Sequence, residues 1–361
     1  MSLRIVTADI ITRLQAFAEG QTPENPDHSR RNFESLNDGS HYDPSPTDVA
    51  VVRIMLAKAT RLPVDIIDDI FEQAEYWVHI STVADYSDNP LTVRNGNGQD
   101  RFLIRSLPIG FTDEHGGDLD LRGQQPAPAK PLQRRIPAET LAKMADYPLP
   151  KLQGPVRKIV FNITSHDQGW SSETGGLYEN SWTWFEAGLE RLESNEIAEP
   201  RRVPPTPLYK HMLRPIYPSI EKEPSEEEEP KDAFVKVSDG DAEQAQADGV
   251  NDIHTAAPAE PKYRYNFDLL HSAKLTVSKN KRAHRDWQKH QVTWSCFDDV
   301  KSESDGGKAL EDGGRGRESG DGEFVRNLEL GDVVTLWAKA RFPMWVNTVK
   351  YVRMDVYWAA T

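Results

Sequence analysis

Short runs of alternating apolar and polar residues follow one another from residue 101 to residue 358, and this pattern restricts the fold more than any other feature. The runs are bounded by Gly, Pro, Asn or Asp and are rich in β-branched and aromatic side chains. Such runs favour antiparallel strands with one buried face. Seven are predicted as strands: 101–107, 157–165, 181–189, 273–278, 290–297, 331–342 and 349–358. The sequence therefore predicts a mainly β fold, an antiparallel jelly-roll-like β-sandwich over residues 95–361.

A small helical unit is predicted before the sandwich, over residues 1–82. A short first helix is indicated by apolar residues every three or four positions: Leu3, Val6, Ile10, Leu14 and Phe17. A second helix is expected to have Thr47 as its N-cap, and a third to begin at Pro63, whose missing N–H costs nothing there. The predicted buried stripe of the third helix is Leu62, Ile66, Ile67, Ile70, Phe71 and Ala74, extended by Trp77 and Val78.

Three segments interrupt the predicted sheet. Residues 115–150 are rich in Pro and Gly, with one short helical stretch at 138–145. Residues 195–262 are acidic and rich in Pro, and residues 302–323 are polar and rich in Gly. Because these last two contain few apolar side chains to offset the entropy of ordering, both are predicted as disordered insertions.

The charge of the chain is concentrated in one segment. Residues 221–260 hold 13 acids and 3 bases, so they carry most of the net charge of −14. The basic stretches 208–215 and 279–290 are short and lie near these acids, so nucleic-acid binding is not expected.

The cellular compartment is inferred from cysteine content and from missing apolar segments. Cys296 is the only cysteine, which excludes an internal disulfide. The N-terminal residues lack a basic start followed by an apolar run, and no apolar stretch approaches the roughly 20 residues that cross a bilayer. A cytoplasmic or nuclear protein without membrane contact is expected.

The last two predicted strands place aromatic residues on opposite faces, because alternate side chains of a strand point to opposite sides. In 331–342 the even positions from Val334 are apolar, and the odd positions include Trp337 and Arg341. In 349–358, Trp358 falls on the apolar face and is expected in the core. Trp337 and Arg341 fall on the mixed face, where they either pack under another segment or contact a ligand. Trp345, near the tip of the turn between the strands, is a further candidate ligand contact.

A second aromatic cluster follows the strand predicted at 157–165. Asp167, Gln168 and Trp170 lie in the loop after this strand. A carboxylate or amide beside an indole can bind the hydroxyls and the apolar face of a sugar. The same residues also occur in ordinary loops that are held by bonds from side chains to the backbone.

Signatures of catalysis are missing from the sequence. It contains no HExxH, no paired Cys ligands, no GxSxG and no GxxxxGK[ST]. No catalytic residue, metal or cofactor is therefore assigned. A glycosidase carboxylate pair drawn from Asp167, Glu173 and Glu186 stays an alternative, and it requires the two carboxyls to face one cleft.

Three motifs together carry a resemblance to a group of uncharacterised β-sandwich proteins from filamentous fungi. They are "LPVDIIDDIFEQAEYW" at 62–77, "DQGWSSETGGLYENSWTWFEAGLERL" at 167–192 and "LWAKARFPMWVNTVKYVRMDVYW" at 336–358. The group carries no established activity, so this resemblance implies the fold alone.

A second resemblance is to F-box proteins that carry a lectin-like sandwich of the F-box-associated or phloem-lectin type. "LPVDIIDDIF" is similar to the opening of an F-box helix, and the order of the segments at 286–299 and 331–349 is similar to that sandwich. The resemblance implies glycan binding by loops at the end of the sandwich, near Trp170 and Trp345. It also implies contact with a Skp-type adaptor through Leu62, Pro63, Ile66 and Ile70. The polar stretch at 81–100 departs from the third apolar helix of an F-box.

The sequence thus favours a non-catalytic recognition protein with a lectin-like β-sandwich. Its predicted ligand, a glycan or a peptide, would contact Asp167, Gln168, Trp170, Trp337, Arg341 and Trp345. An F-box-like adaptor of a ubiquitin ligase and a sugar-acting hydrolase are the alternatives.

Overall fold

The structure is a computed structural model that describes residues 44–94, 100–112, 125–145, 151, 153–172, 174–194, 210–224 and 261–360. Within these residues the helices are α1 (Pro46–Thr60), α2 (Val64–Gln73), α3 (Ala138–Met144), α4 (Asp305–Asp312) and α5 (Glu323–Arg326). The first six strands are β1 (Val78–Asp85), β2 (Leu91–Arg94), β3 (Arg101–Arg105), β4 (Val156–His166), β5 (Thr183–Leu192) and β6 (Leu213–Tyr217). The other six are β7 (Ser219–Lys222), β8 (Tyr263–Asn266), β9 (Thr276–Lys279), β10 (Gln288–Ser295), β11 (Val333–Ala340) and β12 (Val346–Trp358).

Ten of these strands form two antiparallel five-stranded sheets. Sheet one has the order β1-β12-β4-β10, and β2 pairs with the other half of the same edge of β12. Sheet two has the order β3-β11-β5-β6, and β9 continues β6 along the edge of β5. If β1 and β2 are counted as one strand, and β6 and β9 as another, the ten strands of the two sheets become eight. Numbered 1 to 8 along the chain, these have the orders 1-8-3-6 in sheet one and 2-7-4-5 in sheet two. This is the jelly-roll arrangement, so the predicted fold class is confirmed.

The main hydrophobic core lies between the two sheets, where their inner faces meet. The even positions of β11, from Val334 to Ala340, point into it, as does Trp358 from β12. The predicted faces of both strands are therefore correct.

The helical unit is not separate from the sandwich. Ile67 and Phe71 from α2 and Val49 from α1 belong to the same core as the sheets. The predicted extension of α2 through Trp77 and Val78 is wrong, because α2 ends at Gln73 and Val78 begins β1. The stretch that was interpreted as a polar break thus supplies an edge of sheet one.

The start of α1 also differs from the prediction. Ser45, not Thr47, is its N-cap: the Ser45 hydroxyl accepts from the Asp48 N–H, and the Asp48 carboxylate accepts from the Ser45 N–H. Pro46 then takes the first helical position, where its missing N–H is harmless. The predicted helix at residues 3–17 lies outside the described residues.

The prediction of disorder at residues 302–323 is wrong. This segment holds α4, and backbone bonds join it to the region of β9: Lys279 N–H donates to the Gly314 carbonyl, and Gly316 N–H to the Thr276 carbonyl. A Cβ at Gly316 would lie only 2.4 Å from the Ala273 carbonyl oxygen. The glycines therefore allow two backbones to pack closely, and Arg317 and Arg326 bind further carbonyls.

The predicted insertion at 195–262 is partly ordered. Residues 210–224 form a turn of 3₁₀ helix followed by β6 and β7, and Met212 and Leu213 are buried in a second, smaller core. β7 pairs with β8 in a two-stranded ribbon beside sheet two. The most acidic part, 225–260, lies outside the described residues.

Among the described helices, none is long and apolar enough to cross a membrane.

Candidate functional site

Three connections between the sheets converge at one end of the sandwich. They are residues 167–182 between β4 and β5, 280–287 between β9 and β10, and 341–345 between β11 and β12. The antiparallel pairing brings them together, because His166 lies opposite Thr348 and Trp184 lies opposite both Lys279 and Lys339. We call these three connections the loop end. It contains five of the six predicted ligand contacts, all except Trp337.

A buried network of polar side chains supports the loop end. The Asn280 amide donates to Thr183 Oγ1 at 3.1 Å and to Asn347 Oδ1 at 2.9 Å, and its oxygen accepts from Ser165 Oγ at 2.6 Å. All four side chains are buried, and they come from β4, β5, β12 and the residue after β9. Because each amide or hydroxyl would be costly to bury alone, the network fixes the register of both sheets beneath the loops.

Asp167 clamps two of the three connections together. Its carboxylate accepts hydrogen bonds from the backbone N–H groups of Gly169 at 2.7 Å, Ala283 at 2.5 Å and His284 at 2.8 Å. Burial raises the pKa of Asp167, and the three N–H groups and His284 oppose that rise. Since Asp167 is fully buried, it positions the loops and does not offer its carboxylate to a ligand.

Gln168 links the first connection to the start of β12. Its amide nitrogen donates to the Trp170 carbonyl at 2.7 Å, and its oxygen accepts from the Val346 N–H at 3.2 Å. Gly169 between them has a positive φ of 83°, and the Arg285 side chain packs directly over its Cα, where a Cβ would clash. The segment 168–170 is therefore fixed both by the hydrogen bonds of Gln168 and by the packing of Arg285 against Gly169.

Two indole rings of the loop end are exposed to solvent. Trp170 is 47% exposed and Trp287 is 41% exposed. The Trp287 ring lies 4.5 Å from the His166 ring, and the Lys350 ammonium lies 5.6 Å from the Trp287 centroid. Trp345 is half-buried, and its neighbour Met344 is exposed. Apolar rings on a fixed scaffold, edged by basic and amide groups, form a surface suited to binding.

Trp337, another predicted contact, is not on the surface. It is 3% exposed because Phe102, Tyr265 and Phe267 pack around its ring, each with a centroid separation of 5.4 Å. Gly188 on the neighbouring strand leaves room for the indole, since a Cβ there would stand 3.0 Å from the Trp337 Nε1. The mixed face of β11 is thus covered by the chain segment around β8.

Arg341 is also engaged inside the protein. Its guanidinium donates to both carboxylate oxygens of Asp100, at 2.5 and 2.7 Å, and to the Asp268 carbonyl. It lies 5.2 Å from the centroid of the Trp184 ring. Arg341 therefore joins sheet two to its covering segment, and the expected contact with a ligand at the loop end is not supported.

The carboxylates of the hydrolase alternative do not meet. Asp167 follows β4 of sheet one, and its carboxylate already accepts hydrogen bonds from three backbone N–H groups. Glu186 lies on β5 of sheet two, where it accepts from Lys339 Nζ at 2.5 Å and from Trp184 Nε1 at 2.6 Å. Glu173 lies outside the described residues.

The predicted partner residues divide between core and surface. Ile66 is 43% exposed and Ile70 is 39% exposed, one turn apart on α2, and Pro63 is exposed at the start of the helix. Leu62 is partly buried against the main core. Ile66 and Ile70 can thus contact a partner, whereas Leu62 supports the fold.

The fold and the loop end together define a jelly-roll β-sandwich with an exposed aromatic surface at one end. No protein-family model, no curated protein and no solved structure matches this chain.

Two features of the site were not found in the sequence analysis. Trp287 lies in the basic stretch 279–290, which was interpreted by its charge alone, although an indole between polar residues just before a strand was a usable signal. Asn280 carries no signal at all, because an asparagine in a connection is ordinarily exposed.

Proposed function

We propose that this protein recognises glycans through the loop end, with Trp170 and Trp287 as the stacking surfaces. The observation that carries the proposal is the combination of a fully buried Asp167, which fixes two connections, with indoles that remain nearly half exposed. A solvent-exposed indole contributes little to folding, so a scaffold that holds it in place points to a role in binding.

The chemistry of the surface suits sugars. The apolar face of a pyranose stacks on an indole, and the hydroxyls need donors and acceptors at the edge of the ring. His166, Gln168 and Lys350 supply such groups close to the two indoles. The resemblance to F-box-associated and phloem-lectin sandwiches agrees with this proposal.

A glycan array with the full chain tests the proposal. We expect binding to a defined set of glycans, and Trp170→Ala and Trp287→Ala should each weaken it about tenfold through the loss of a central aromatic contact. Phe297→Ala is the matched control, since Phe297 is 65% exposed but follows β10 at the opposite end of the sandwich. Absence of glycan binding, or equal losses in all three variants, would refute the proposal. Binding to a peptide library in place of the array would assign the surface to peptides.

A second candidate function is that of an F-box-like adaptor. The specific observation in its favour is the exposure of Ile66 and Ile70 on α2, beside the exposed Val64. Large apolar residues one turn apart on a surface helix are the usual anchors for a partner that binds along a helix.

Co-purification with a Skp-type adaptor tests this candidate. Ile66→Ala combined with Ile70→Ala should abolish the association without unfolding the chain, because both residues are exposed. Met55→Ala on α1, where Met55 is 51% exposed, serves as the control and should keep it. Failure of the wild-type chain to bind the adaptor would eliminate the candidate.

A further inference from the structure

The loop end carries an excess of positive charge, although the net charge of the chain is −14. Its exposed or partly exposed cations, counted together with the strands that follow the second and third connections, are Lys281, Arg282, Arg285, Lys289 and Lys350. Among the described residues of the three connections, the carboxylates on the surface are Glu179 and Asp286. Salt screens charges over roughly 8 Å at physiological ionic strength. A ligand at the loop end therefore responds more to these nearby groups than to the net charge.

Arg285 offers a cation that is free to bind a ligand. Its side chain is exposed, and among the described residues its guanidinium has neither a hydrogen-bond partner nor an ion-pair partner. The stem of the side chain is nevertheless fixed, because it packs over Gly169 and its Nε lies 2.6 Å from the position that a Cβ of Gly169 would occupy. Gly169 directly precedes Trp170. The N–H donors of the guanidinium thus stand beside the segment that presents the indole.

Arg282 contributes charge but not free donors. Its guanidinium donates to the carbonyls of Thr174 and Gly175, both at 2.9 Å, and to the carbonyl of Glu179 at 3.1 Å. Carbonyl oxygens carry only a partial charge, so these bonds hold the first connection in place and leave Arg282 as a positive centre. Arg282 can attract an anion, whereas Arg285 can also bind one directly.

Lys350 is a weaker candidate for binding an anion. Its ammonium lies 5.6 Å from the centroid of the Trp287 ring. Hydrogen bonds from Ser87 and, to a smaller extent, the charge of Lys350 lower the pKa of Asp85 on the neighbouring strand β1. Part of the positive charge of Lys350 is therefore balanced by Asp85, and Arg285 is the better anion-binding group.

An indole beside a free guanidinium selects the chemistry of the ligand. A guanidinium binds a carboxylate through two parallel N–H···O bonds, and such charge-assisted bonds are stronger than bonds to a neutral hydroxyl. A neutral sugar would stack on the indole but would leave the guanidinium to water. A uronic or sialic acid residue has both an apolar ring face and a carboxylate at the edge of the ring, so it can use both groups.

We infer that the loop end prefers acidic sugars, with the carboxylate of a uronic or sialic acid residue bound by Arg285 beside Trp170. Arg282 adds attraction at longer range, and the exposed indoles contact the sugar rings. This inference rests on the proposed function, because it specifies which class of glycan the loop end binds.

Matched pairs of acidic and neutral glycans test the inference on the full chain. The acidic probes are sialyllactose, trigalacturonate and a hyaluronan tetrasaccharide. Each is compared with its methyl ester, which keeps the sugar rings but removes the charge. In calorimetry we expect at least one acidic probe to bind about tenfold more tightly than its ester. Added salt should weaken the binding of the acid and leave that of the ester nearly unchanged.

Variants assign the preference to Arg285. Arg285→Gln should bring the ratio of the acid and ester affinities close to one. Arg285→Lys should leave an intermediate ratio, because an ammonium keeps the charge but not the two parallel bonds. Circular dichroism confirms that each variant is folded.

Arg61→Gln is the matched control. Arg61 is exposed at the end of α1, in the helical unit, and Glu72 of this unit binds Arg157 at the start of β4. The loop end follows the other end of β4, so the control should keep the ratio of the wild-type chain.

A triglutamate with blocked termini separates the recognition of sugars from a general attraction for polyanions, since it has three carboxylates but no sugar ring. It should bind at least about tenfold more weakly than the best acidic probe.

Three results would overturn the inference: no acidic probe that binds more tightly than its ester, a preference that a folded Arg285→Gln variant retains, or triglutamate binding as tight as that of the best acidic probe. Neutral glycans that bind on the array through Trp170 and Trp287, without a preference for acids, would support the proposed function and refute this inference alone. Absence of binding to any glycan would refute both.

Discussion

At the scale of single residues, the outer face of sheet two contains two buried ion pairs. Arg105 and Glu190 are both almost fully buried and lie 2.8 Å apart, and Lys339 and Glu186 form a second such pair. A buried charge is tolerated only when its partner and its hydrogen bonds are complete. Loss of one partner should therefore cost far more than loss of both.

Lys339→Met should lower the free energy of unfolding by about 3–5 kcal/mol, because the Glu186 carboxylate stays buried without its cation. Adding Glu186→Gln should recover about 1–3 kcal/mol of this loss, since a neutral amide can still accept from Trp184 and Ser272. Urea unfolding of the two single variants and the double variant measures the coupling. Additive losses would show that the pair does not act as a unit.

His290 gives a residue-scale prediction about pH. It is buried on β10, where its Nδ1 lies 3.0 Å from Ser278 Oγ, and burial lowers its pKa from 6.5 to about 4, with a smaller effect from Lys281. Between these values the unfolded chain binds a proton that the folded chain does not. The free energy of unfolding should therefore fall as the pH drops from about 6.5 towards 4, by about 2 kcal/mol at pH 5.

His290→Asn is the comparison for this effect, because asparagine can still bond to Ser278 but does not titrate. Denaturant unfolding at pH 7 and pH 5 should show a smaller loss in the variant, by about 2 kcal/mol. An identical pH dependence in both proteins would mean that His290 is protonated in the folded state.

At the scale of elements, the first two connections of the loop end behave as one unit because Asp167 accepts hydrogen bonds from backbone N–H groups of both. Asp167→Asn keeps one oxygen acceptor but turns an NH₂ group towards a backbone N–H. We expect a loss of stability of about 1–3 kcal/mol and an increase of about tenfold in amide hydrogen exchange at Gly169, Ala283 or His284.

Asp298→Asn provides the matched control for this prediction. Asp298 also accepts a backbone N–H, from Ser295 at 2.8 Å, but in the turn after β10 at the opposite end of the sandwich. It should leave exchange at the loop end unchanged. Unaltered exchange in Asp167→Asn would show that the loops are held by other contacts.

The elements that could be predicted from the sequence are those with an apolar face towards the core. β4, β10, β11 and β12 were found because their alternation is strong. β1 was not, because "VHISTVAD" mixes Ser, Thr and His into its alternation and follows a helix without a clear stop. Residues 302–323 were misjudged because their order comes from backbone bonds to β9 and from a bond of Arg315 to the Thr293 carbonyl on β10, which composition does not record.

At the scale of the whole molecule, the jelly-roll arrangement separates two surfaces. The connections between sheets gather at the loop end, whereas the outer face of sheet two is covered by the segments that leave the sheet between β6 and β9. Alternation placed Trp337 correctly on the mixed face of β11. Whether that face is open could not be predicted, because Phe102, Tyr265 and Phe267 come from strands distant in sequence.

The candidate site likewise combines residues with a local sequence signal and residues without one. Trp170 and Trp345 were assigned from their position in turns, and Trp170 is indeed exposed. The buried support of the site, Asn280 with Ser165, Thr183 and Asn347, depends on contacts between strands far apart in the sequence. A single sequence contains no local signal for such contacts.

The central claim, that exposed indoles at the loop end contact a glycan, is tested most directly by NMR of the nine tryptophan indoles during titration with the glycan that the array selects. We expect the Nε1–H signals of Trp170 and Trp287 to shift with saturation, while those of the buried Trp184, Trp294 and Trp358 stay in place. Saturable shifts confined to other indoles, or no shift at any indole, would contradict the account.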